Sequence, residues 1–508
     1  MIFELFLTPI ITGVVCFLLK NKRVIEIVNV LGASVMLALM VIIAYQVFVF
    51  GPILDGDWYV DDLSAYFLLI IVFIGFLVSL YSIDYIEHDY STGEISLPKL
   101  RSYYPFLHVF IGSMILICIS NNLGIVWVAI EATTLTSAFL VGFYNKKASV
   151  EAAWKYIIIC SAGIVIALLG TIFLYLTSVT ALGNVPDALD WTTIVANADK
   201  LDPSLMKITF VLIFIGYGTK FGLVPMHTWL PDAHSQAPTP ISALLSGVLL
   251  NCALYGILRY HIIAIRVLGV GFSNNLFLIF GLLSLVTAMF FILIVKDYKR
   301  LLAYHSIEHM GIISIGFGIG GPIAIFGAIF HVMNHSFTKS LLFFGSGNIL
   351  QKYGTRDIEQ VKGVGKVMPA TAIFFMMGMF ALTGCPPFSI FVSEITILNG
   401  MITQQNYIIA GVFIATIVAI FAGFVNHAGD MIFGEPLIMV RSSEEGTPAL
   451  LTQGEEPPKE VKGTPVARGE LSRTSLVIMA VLIFAIIYLG VAIPAWFNGM
   501  IAGIARLF

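Results

Sequence analysis

Long apolar runs, each about as long as a bilayer crossing and separated by short polar connections, fill almost the whole chain. At about 20 apolar residues per crossing, the pattern predicts fourteen helices, at about 2–19, 25–50, 63–83, 105–120, 122–143, 151–177, 206–226, 238–262, 275–295, 301–319, 323–349, 369–398, 405–433 and 474–497. The run opening at Ile2 lacks a basic flank and a small-residue cleavage site, so it reads as a retained span. Only 434–473, polar and rich in Pro, Gly and Glu, departs from the pattern; it reads as a loop or partner-docking segment. The expected class is an all-α polytopic membrane protein. Its expected units are an N-terminal three-helix segment (1–104), a first five-helix repeat (105–265), an inverted second repeat (272–433), the polar loop (434–473) and a C-terminal transmembrane helix (474–508).

Two of the apolar runs are interrupted. From Tyr217 to Leu250 the chain reads YGTKFGLVPMHTWLPDAHSQAPTPISALLSGVLL: an apolar helix carrying Lys220 in its last turns is broken by Gly222 and Pro225. It then passes through a polar connection with His227, Asp232 and His234 and re-enters apolar sequence after Pro238 and Pro240. The second interruption lies at Gly384, Pro386 and Pro387. GLVPMHTW and GCPPFSIF share the pattern Gly-x-x-Pro-apolar-x-x-aromatic, and each falls in the fourth helix of its five-helix block. Unwound backbone at membrane depth survives only where protein or a water-filled cavity satisfies its polar groups, and inverted repeats with broken helices mark ion-coupled transporters.

Lysine and arginine orient the chain. Alternate connections hold Lys20, Lys22 and Arg23; Lys99 and Arg101; Lys146 and Lys147; Lys296, Lys299 and Arg300; Lys352, Arg356, Lys362 and Lys366; and Arg441, Lys459, Lys462, Arg468 and Arg473. The opposite set holds Lys200, Lys207, Arg266 and Arg506. By the positive-inside rule the first set is cytoplasmic and both termini lie outside. The connection at 227–237 breaks this trend, having neither lysine nor arginine.

Composition sharpens the class. Of 508 residues 58% are hydrophobic and 11% charged, more apolar surface than a soluble core of this length would use. No basic patch points to nucleic acid. Cys16, Cys118, Cys160, Cys252 and Cys385 are far apart and form no CxxC pair, so cysteines of this chain hold neither an iron–sulfur cluster nor zinc. They read as small buried hydrophobes.

Once the two connection sets are assigned, four cations are left over inside the predicted spans: Lys155, Lys220, Arg259 and Lys339. Lys155 and Arg259 lie near helix ends, where long side chains snorkel to the interface; Lys220 and Lys339 lie deeper. Among the acids, Glu131 falls midway along IVWVAIEATTLTSAFLV, Glu394 just beyond the second break, and Glu308 in a helix that also carries His305 and His309. His331, His335 and Lys339 recur every four residues, on one helix face over roughly 12 Å.

Such a row suits a proton path, because neutral histidine takes and gives a proton through its two nitrogens and a desolvated lysine moves towards neutrality. Metal binding at His331 and His335, or plain packing, are the alternatives; the spacing lacks the HExxH carboxylate, so no metal site is expected. Glu131 and Lys220, meeting at roughly 4–6 Å, would make a pair worth a few kcal/mol at an effective dielectric near 20, and movement of the lysine would gate proton release. A static salt bridge is the alternative there. Glu394 is the expected exit acid. Lys155, His227, His234, His305, Glu308 and His309 are possible accessory groups, with a bland loop role equally open for the residues of 227–237. No catalytic residues are expected.

At these residues the sequence resembles the antiporter-like subunits of respiratory complex I, Mrp sodium/proton antiporters and membrane-bound hydrogenases. The likeness rests on VAIEATTL, YGTKFGLVPMHTWLPDAH, APTPISALLSG, KRLLAYHSIEHMG, HSFTKSLLFFGSG and GCPPFSIFVSE. IEATTL and AYHSIEHMG are closest to the hydrogenase-4 and formate hydrogenlyase branch. The resemblance implies proton or sodium translocation in the membrane arm of a redox-driven complex, with functional positions at Glu131, Lys220, Lys339 and Glu394. It also implies no cofactor in this chain, nickel–iron and iron–sulfur centres in partner subunits, a peripheral redox arm, and a place in a prokaryotic cell membrane. An Mrp-type or complex I subunit is the alternative. In complex I subunits of this type a lysine usually precedes the Tyr-Gly-x-Leu-Arg motif; here Asn251 stands there, leaving the middle of the path to water, His331 and His335. With the sequence ending shortly after the fourteenth expected span, the long lateral helix of the distal complex I subunit is not expected here.

Overall fold

In the computed structural model, which describes residues 1–183, 185–435, 437–440 and 462–508, the chain begins with α1 (Ile2–Leu18) and α2 (Lys22–Phe50). An antiparallel hairpin follows, β1 (Ile53–Asp55) with β2 (Trp58–Val60), Leu54 opposite Tyr59, and then α3 (Asp62–Ser91). The first block comprises α4 (Leu97–Ile119), α5 (Leu123–Val141), α6 (Lys147–Leu182), the short α7 (Trp191–Ala196), α8 (Pro203–Phe221), α9 (Leu230–Gln236), α10 (Thr239–Leu244) and α11 (Leu250–Leu268). The second comprises α12 (Val270–Ile294), α13 (Tyr298–Ile319), α14 (Gly321–Tyr353), the single turn α15 (Val364–Val367), α16 (Pro369–Leu382), α17 (Ser389–Thr403) and α18 (Tyr407–Ile432). A second hairpin, β3 (Leu437–Val440) with β4 (Lys462–Pro465), leads to α19 (Arg473–Val491) and α20 (Ala495–Ala505). Within the expected polar loop 434–473, residues 436 and 441–461 lie outside the described residues.

Short polar residues start these helices. Asp61 accepts from the Ser64 amide at 2.9 Å to cap α3, and Asp202 accepts from Leu205 at 2.8 Å to cap α8. Asn122 caps α5, and Asp297 caps α13 through the amides of Lys299 and Arg300. Each satisfies backbone donors that have no partner within the first turn. Pro494 separates α19 from α20, so the helix expected over 474–497 ends at Val491.

Among the described residues ten helices are long and apolar enough to cross a membrane, counting α10 to α11 as one. The shorter apolar helices include α16 and α17, two pieces where one span was expected at 369–398. α13 and α14 fall outside that count although α13 is buried almost throughout and α14 along its middle from Gly327 to Ile349, since they carry lysine, histidine and glutamate where other spans carry Leu and Ile. The stretch from Thr239 to Ala264 is buried throughout as well. Polar helices thus form the interior, and α2, α12 and α18 turn mostly apolar faces outwards. In both blocks the third helix closes on the broken fourth through glycine. A Cβ on Gly216 would lie 2.6 Å from the Ala167 side chain, and one on Gly400 would lie 2.6 Å from that of Ala324.

Candidate functional site

Gly222, in the left-handed region at φ +87°, stops α8 just after Lys220 and leaves the lysine fully buried in the last turn. Its Nζ donates to the Ile130 carbonyl (2.7 Å) and to the hydroxyls of Thr133 (2.5 Å) and Thr134 (2.6 Å). Glu131, half-buried on α5, accepts from Thr134 at 3.2 Å through one carboxylate oxygen and from Ser161 at 2.8 Å through the other. The expected Glu131–Lys220 pair is therefore joined through a hydroxyl: Thr134 accepts from the ammonium and donates to the carboxylate. The reason is helical geometry. Lys220 reaches α5 at the Ile130–Thr134 turn, where a free hydroxyl on the buried face lies closer than the carboxylate turned towards α6.

Protein atoms satisfy the broken backbone between α8 and α9. The Trp229 indole donates to the Thr219 carbonyl at 2.9 Å, and the Val224 amide donates to Ser284 at 3.0 Å. Both interruptions contain a cis X-Pro bond, Val224–Pro225 and Pro386–Pro387. The 227–237 stretch is a buried helical turn rather than a solvent connection, which explains its lack of lysine and arginine. Asp232 on α9 accepts from Lys155 of α6 (3.2 Å) and from Arg300 of α13, tying the two blocks together. Lys155 thus has a partner beyond snorkelling. His227 and His234 are buried, with the His234 ring between Trp229 and Phe343 at 6.2 and 6.0 Å.

Arg259 does not snorkel. It is buried, forms two 2.7 Å bonds to Asp61, donates to Ser64 and Tyr255, and lies 4.4 Å from the Trp191 ring. Asp61 is reached through the N-terminal hairpin, a contact that local sequence does not announce.

Between the halves, a π-helical turn at Leu245–Leu249 leads into α11, and Asn251 donates to the Gly247 carbonyl and to Ser336 of α14, both at 2.9 Å. Asn251 is a fixed strut rather than a chargeable link.

The row on α14 has partners on α13 and α17. His331 meets His309 at 2.8 Å through one ring nitrogen and Ser393 at 2.9 Å through the other. The His335 ring lies 5.2 Å from that of His309, and neither of its nitrogens has a hydrogen-bond partner among the described residues. His305 and Glu308 are hydrogen-bonded at 2.6 Å. Lys339 donates to the Leu302 carbonyl, and Glu308 is the acid within electrostatic reach of both Lys339 and Glu394. Glu394 lies against the second break, where Gly384 has φ +67° and a Cβ would strike its carboxylate.

Two trios, His305–Glu308–His309 and His309–His331–Glu394, bring ligand atoms within 4.8 Å of one another. In the first, His305 Nδ1 bonds to Glu308, and in the second His309 Nδ1 bonds to His331 Nε2, whereas the Nε2 atoms of His305 and His309 have no hydrogen-bond partner among the described residues. The expected path residues Glu131 and Lys220 meet around Thr134, and His331, His335, Lys339 and Glu394 cluster with His305, Glu308 and His309. Thr133, Thr134, Ser161 and Ser393 were missed, because hydroxyls at i and i+4 of an apolar helix carry no distinctive signal. Lys299, buried on the first turn of α13, reads in the sequence as one of a run of connection cations with Lys296 and Arg300.

A multi-pass helical membrane protein with two broken helices and buried ionisable groups at both breaks has the architecture of an antiporter-like subunit. The chain belongs to the family described as NADH:quinone oxidoreductase/Mrp antiporter, transmembrane, whose model matches residues 120–420. Residues 54–93 match the N-terminus of NADH-ubiquinone oxidoreductase (complex I) chain 5. The chain is 41% identical over 377 residues to a hydrogenase-4 component F homolog of Methylacidiphilum infernorum (isolate V4), covering 74% of this chain and 79% of that one. It is 31% identical over 346 residues to hydrogenase-4 component B of Escherichia coli (strain K12), covering 66% of this chain but 49% of that longer protein. A chain of the Mrp complex from Dietzia sp. DQ12-45-1b shares the fold at TM-score 0.81 and 19% identity, over 98% of this chain and 96% of that one.

Proposed function

We propose that this chain moves protons or sodium ions across a prokaryotic cell membrane as part of the membrane arm of a redox-driven complex, of the membrane-bound [NiFe]-hydrogenase or formate hydrogenlyase type. One observation carries the reading: ionisable and hydroxyl side chains, buried among apolar helices, run from Glu131 through Thr134 to Lys220 in the first block and from Lys339 through Glu308 and the histidines to Glu394 in the second. Charges are costly at such depth, and they persist where they serve an ion path. Lys220 acts as a swinging cation; leaving the Thr133–Thr134 hydroxyls takes its positive charge away from the turn that carries Glu131. Glu394, at the second break, releases the ion towards the outer face. The likeness to hydrogenase-4 components supports the parent complex. Nickel–iron and iron–sulfur centres belong to partner subunits, and this chain contributes no electron-transfer step.

The same reading takes fourteen crossings, both termini outside and the lysine-rich connections in the cytoplasm, supported by the charge asymmetry between alternate connections. It takes 105–265 and 272–433 as the repeats, supported by the matched breaks, and 434–473 as a cytoplasmic docking loop. The test is proton uptake by inverted vesicles carrying the assembled complex. Lys220→Ala or Glu131→Ala should abolish pumping and spare hydrogenase turnover with soluble electron carriers; full pumping by either variant overturns the path. The Mrp-like fold favours one second reading, Na⁺/H⁺ exchange without redox input. Co-purification with nickel–iron and iron–sulfur subunits supports the first reading, and their absence the second.

A further inference from the structure

A cleft of about 380 Å³ opens where the ends of α3 and α14, the α5–α6 turn, the C-terminus of α9 and the start of α13 meet. All five bear on the lysine-rich side of the chain. Its wall carries Asp89, which accepts from the Tyr144 hydroxyl at 2.7 Å and from the Gln351 amide at 3.0 Å. Its floor carries Lys299, 1% exposed, on the first turn of α13. Among the described residues the Lys299 Nζ donates to one protein acceptor, the Ala237 carbonyl that ends α9, at 2.7 Å. The charged groups around it are Arg356, Asp297 and Asp89. Arg356 is itself engaged by the Ser235 carbonyl and, at 3.7 Å, by Asp297.

Behind Lys299 stands His234. It is fully buried, neither ring nitrogen has a hydrogen-bond partner among the described residues, and Lys299 and Lys339 both lie within its electrostatic reach. A polar cleft lined by a buried amine, with an unengaged imidazole within reach of both that amine and Lys339, makes a set of proton acceptors leading inwards. The cleft is roomy enough for water to reach the amine.

We propose that this cleft is the cytoplasmic proton-uptake port and that Lys299 is its first internal carrier. The proposal rests on the ion-path reading above and names its entrance. A proton from cleft water, collected near Asp89, binds the neutral amine of Lys299. The ammonium gives it to one ring nitrogen of His234, and His234 releases the proton from its other nitrogen towards Lys339 and His335. Lys299 returns to the amine; His234, neutral again once its second nitrogen has let the proton go, recovers its starting tautomer by a ring flip. The ion admitted here is a proton, since amine and imidazole nitrogens carry protons and do not ligate sodium.

A merely structural Lys299 would brace the Ala237 carbonyl, a task that arginine also performs. Arginine keeps the charge and donors but does not give up its proton. In inverted vesicles containing the whole complex, Lys299→Arg should lower dye-reported proton uptake by about 100-fold, in line with the loss of a positioned proton carrier. Wild-type uptake by the assembled arginine variant overturns the port. Should that variant not assemble, a cysteine placed at the exposed cleft-lining Thr92 and labelled with a bulky, membrane-impermeant maleimide decides the question. Uptake slower than in the same unlabelled variant, with labelled wild type as control for Cys385, supports the port; an equal rate overturns it. Lys220→Ala in the same vesicles separates the two claims. If it pumps fully, the path reading and the port fall together. If it is dead while Lys299→Arg pumps normally, the port alone falls.

Discussion

Among the described residues Thr134 is the one side chain that bonds both Lys220 and Glu131, at 2.6 and 3.2 Å, so replacing its hydroxyl with a methyl group removes the bridge between the two charges. Thr134→Val keeps the shape of the buried side chain. The lysine retains the Ile130 carbonyl and the Thr133 hydroxyl, and the carboxylate retains Ser161. Hydrogen bonds to charged groups are worth about 1.5–3 kcal/mol. If the configuration in which charge passes between Lys220 and Glu131 loses that amount, the step slows by about 10- to 150-fold, at tenfold per 1.36 kcal/mol. The complex should still assemble, because the loss is confined to one contact. The assay is proton uptake in inverted vesicles, normalised to redox turnover with a soluble carrier. Thr134→Ser, which restores the hydroxyl, should recover most of the rate. Wild-type coupling in Thr134→Val would refute the hydroxyl relay and leave Glu131 and Lys220 acting without contact.

Two further outcomes follow from the same geometry. Gly384→Ala places a Cβ at φ +67° against the Glu394 carboxylate; it should cost about 1–3 kcal/mol from the backbone alone and uncouple pumping from turnover, read by vesicle uptake and by thermal unfolding of the complex. Asp61→Asn replaces the carboxylate that pairs with buried Arg259; a loss of about 3–5 kcal/mol is expected for an uncompensated buried charge. It should lower the unfolding temperature of the complex while coupling per assembled complex persists, and an unchanged melting profile would contradict a bracing role.

The ionisable residues of the interior were largely legible, because a bilayer interior makes every lysine, glutamate or histidine conspicuous against Leu, Ile and Phe. Glu131, Lys220, Lys339 and Glu394 stood out on that ground alone. Their partners did not. Arg259 read as a snorkelling cation until the β1–β2 hairpin brought Asp61 to it. The 227–237 stretch read as a connection because it is polar, yet Asp232 and His234 are polar for the sake of contacts with α6, α13 and α14. Lys299 was hidden by its neighbours, since in the sequence it stands in one short run with Lys296 and Arg300 and reads as a third loop cation.

Periodicity, apolar length and charge asymmetry, all one-dimensional properties, determined the helices, their breaks at Gly222 and Gly384, and the expected direction of each crossing. These follow from the bilayer, which acts on each segment almost independently of the others. Which carboxylate meets which cation was decided only by packing: the turn of α8 against α5 interposes Thr134 between Lys220 and Glu131, and the lie of α13 beside α14 joins His309 to His331. A hydrogen bond depends on separations of a few tenths of an ångström between residues far apart in sequence, and no local pattern encodes such a distance.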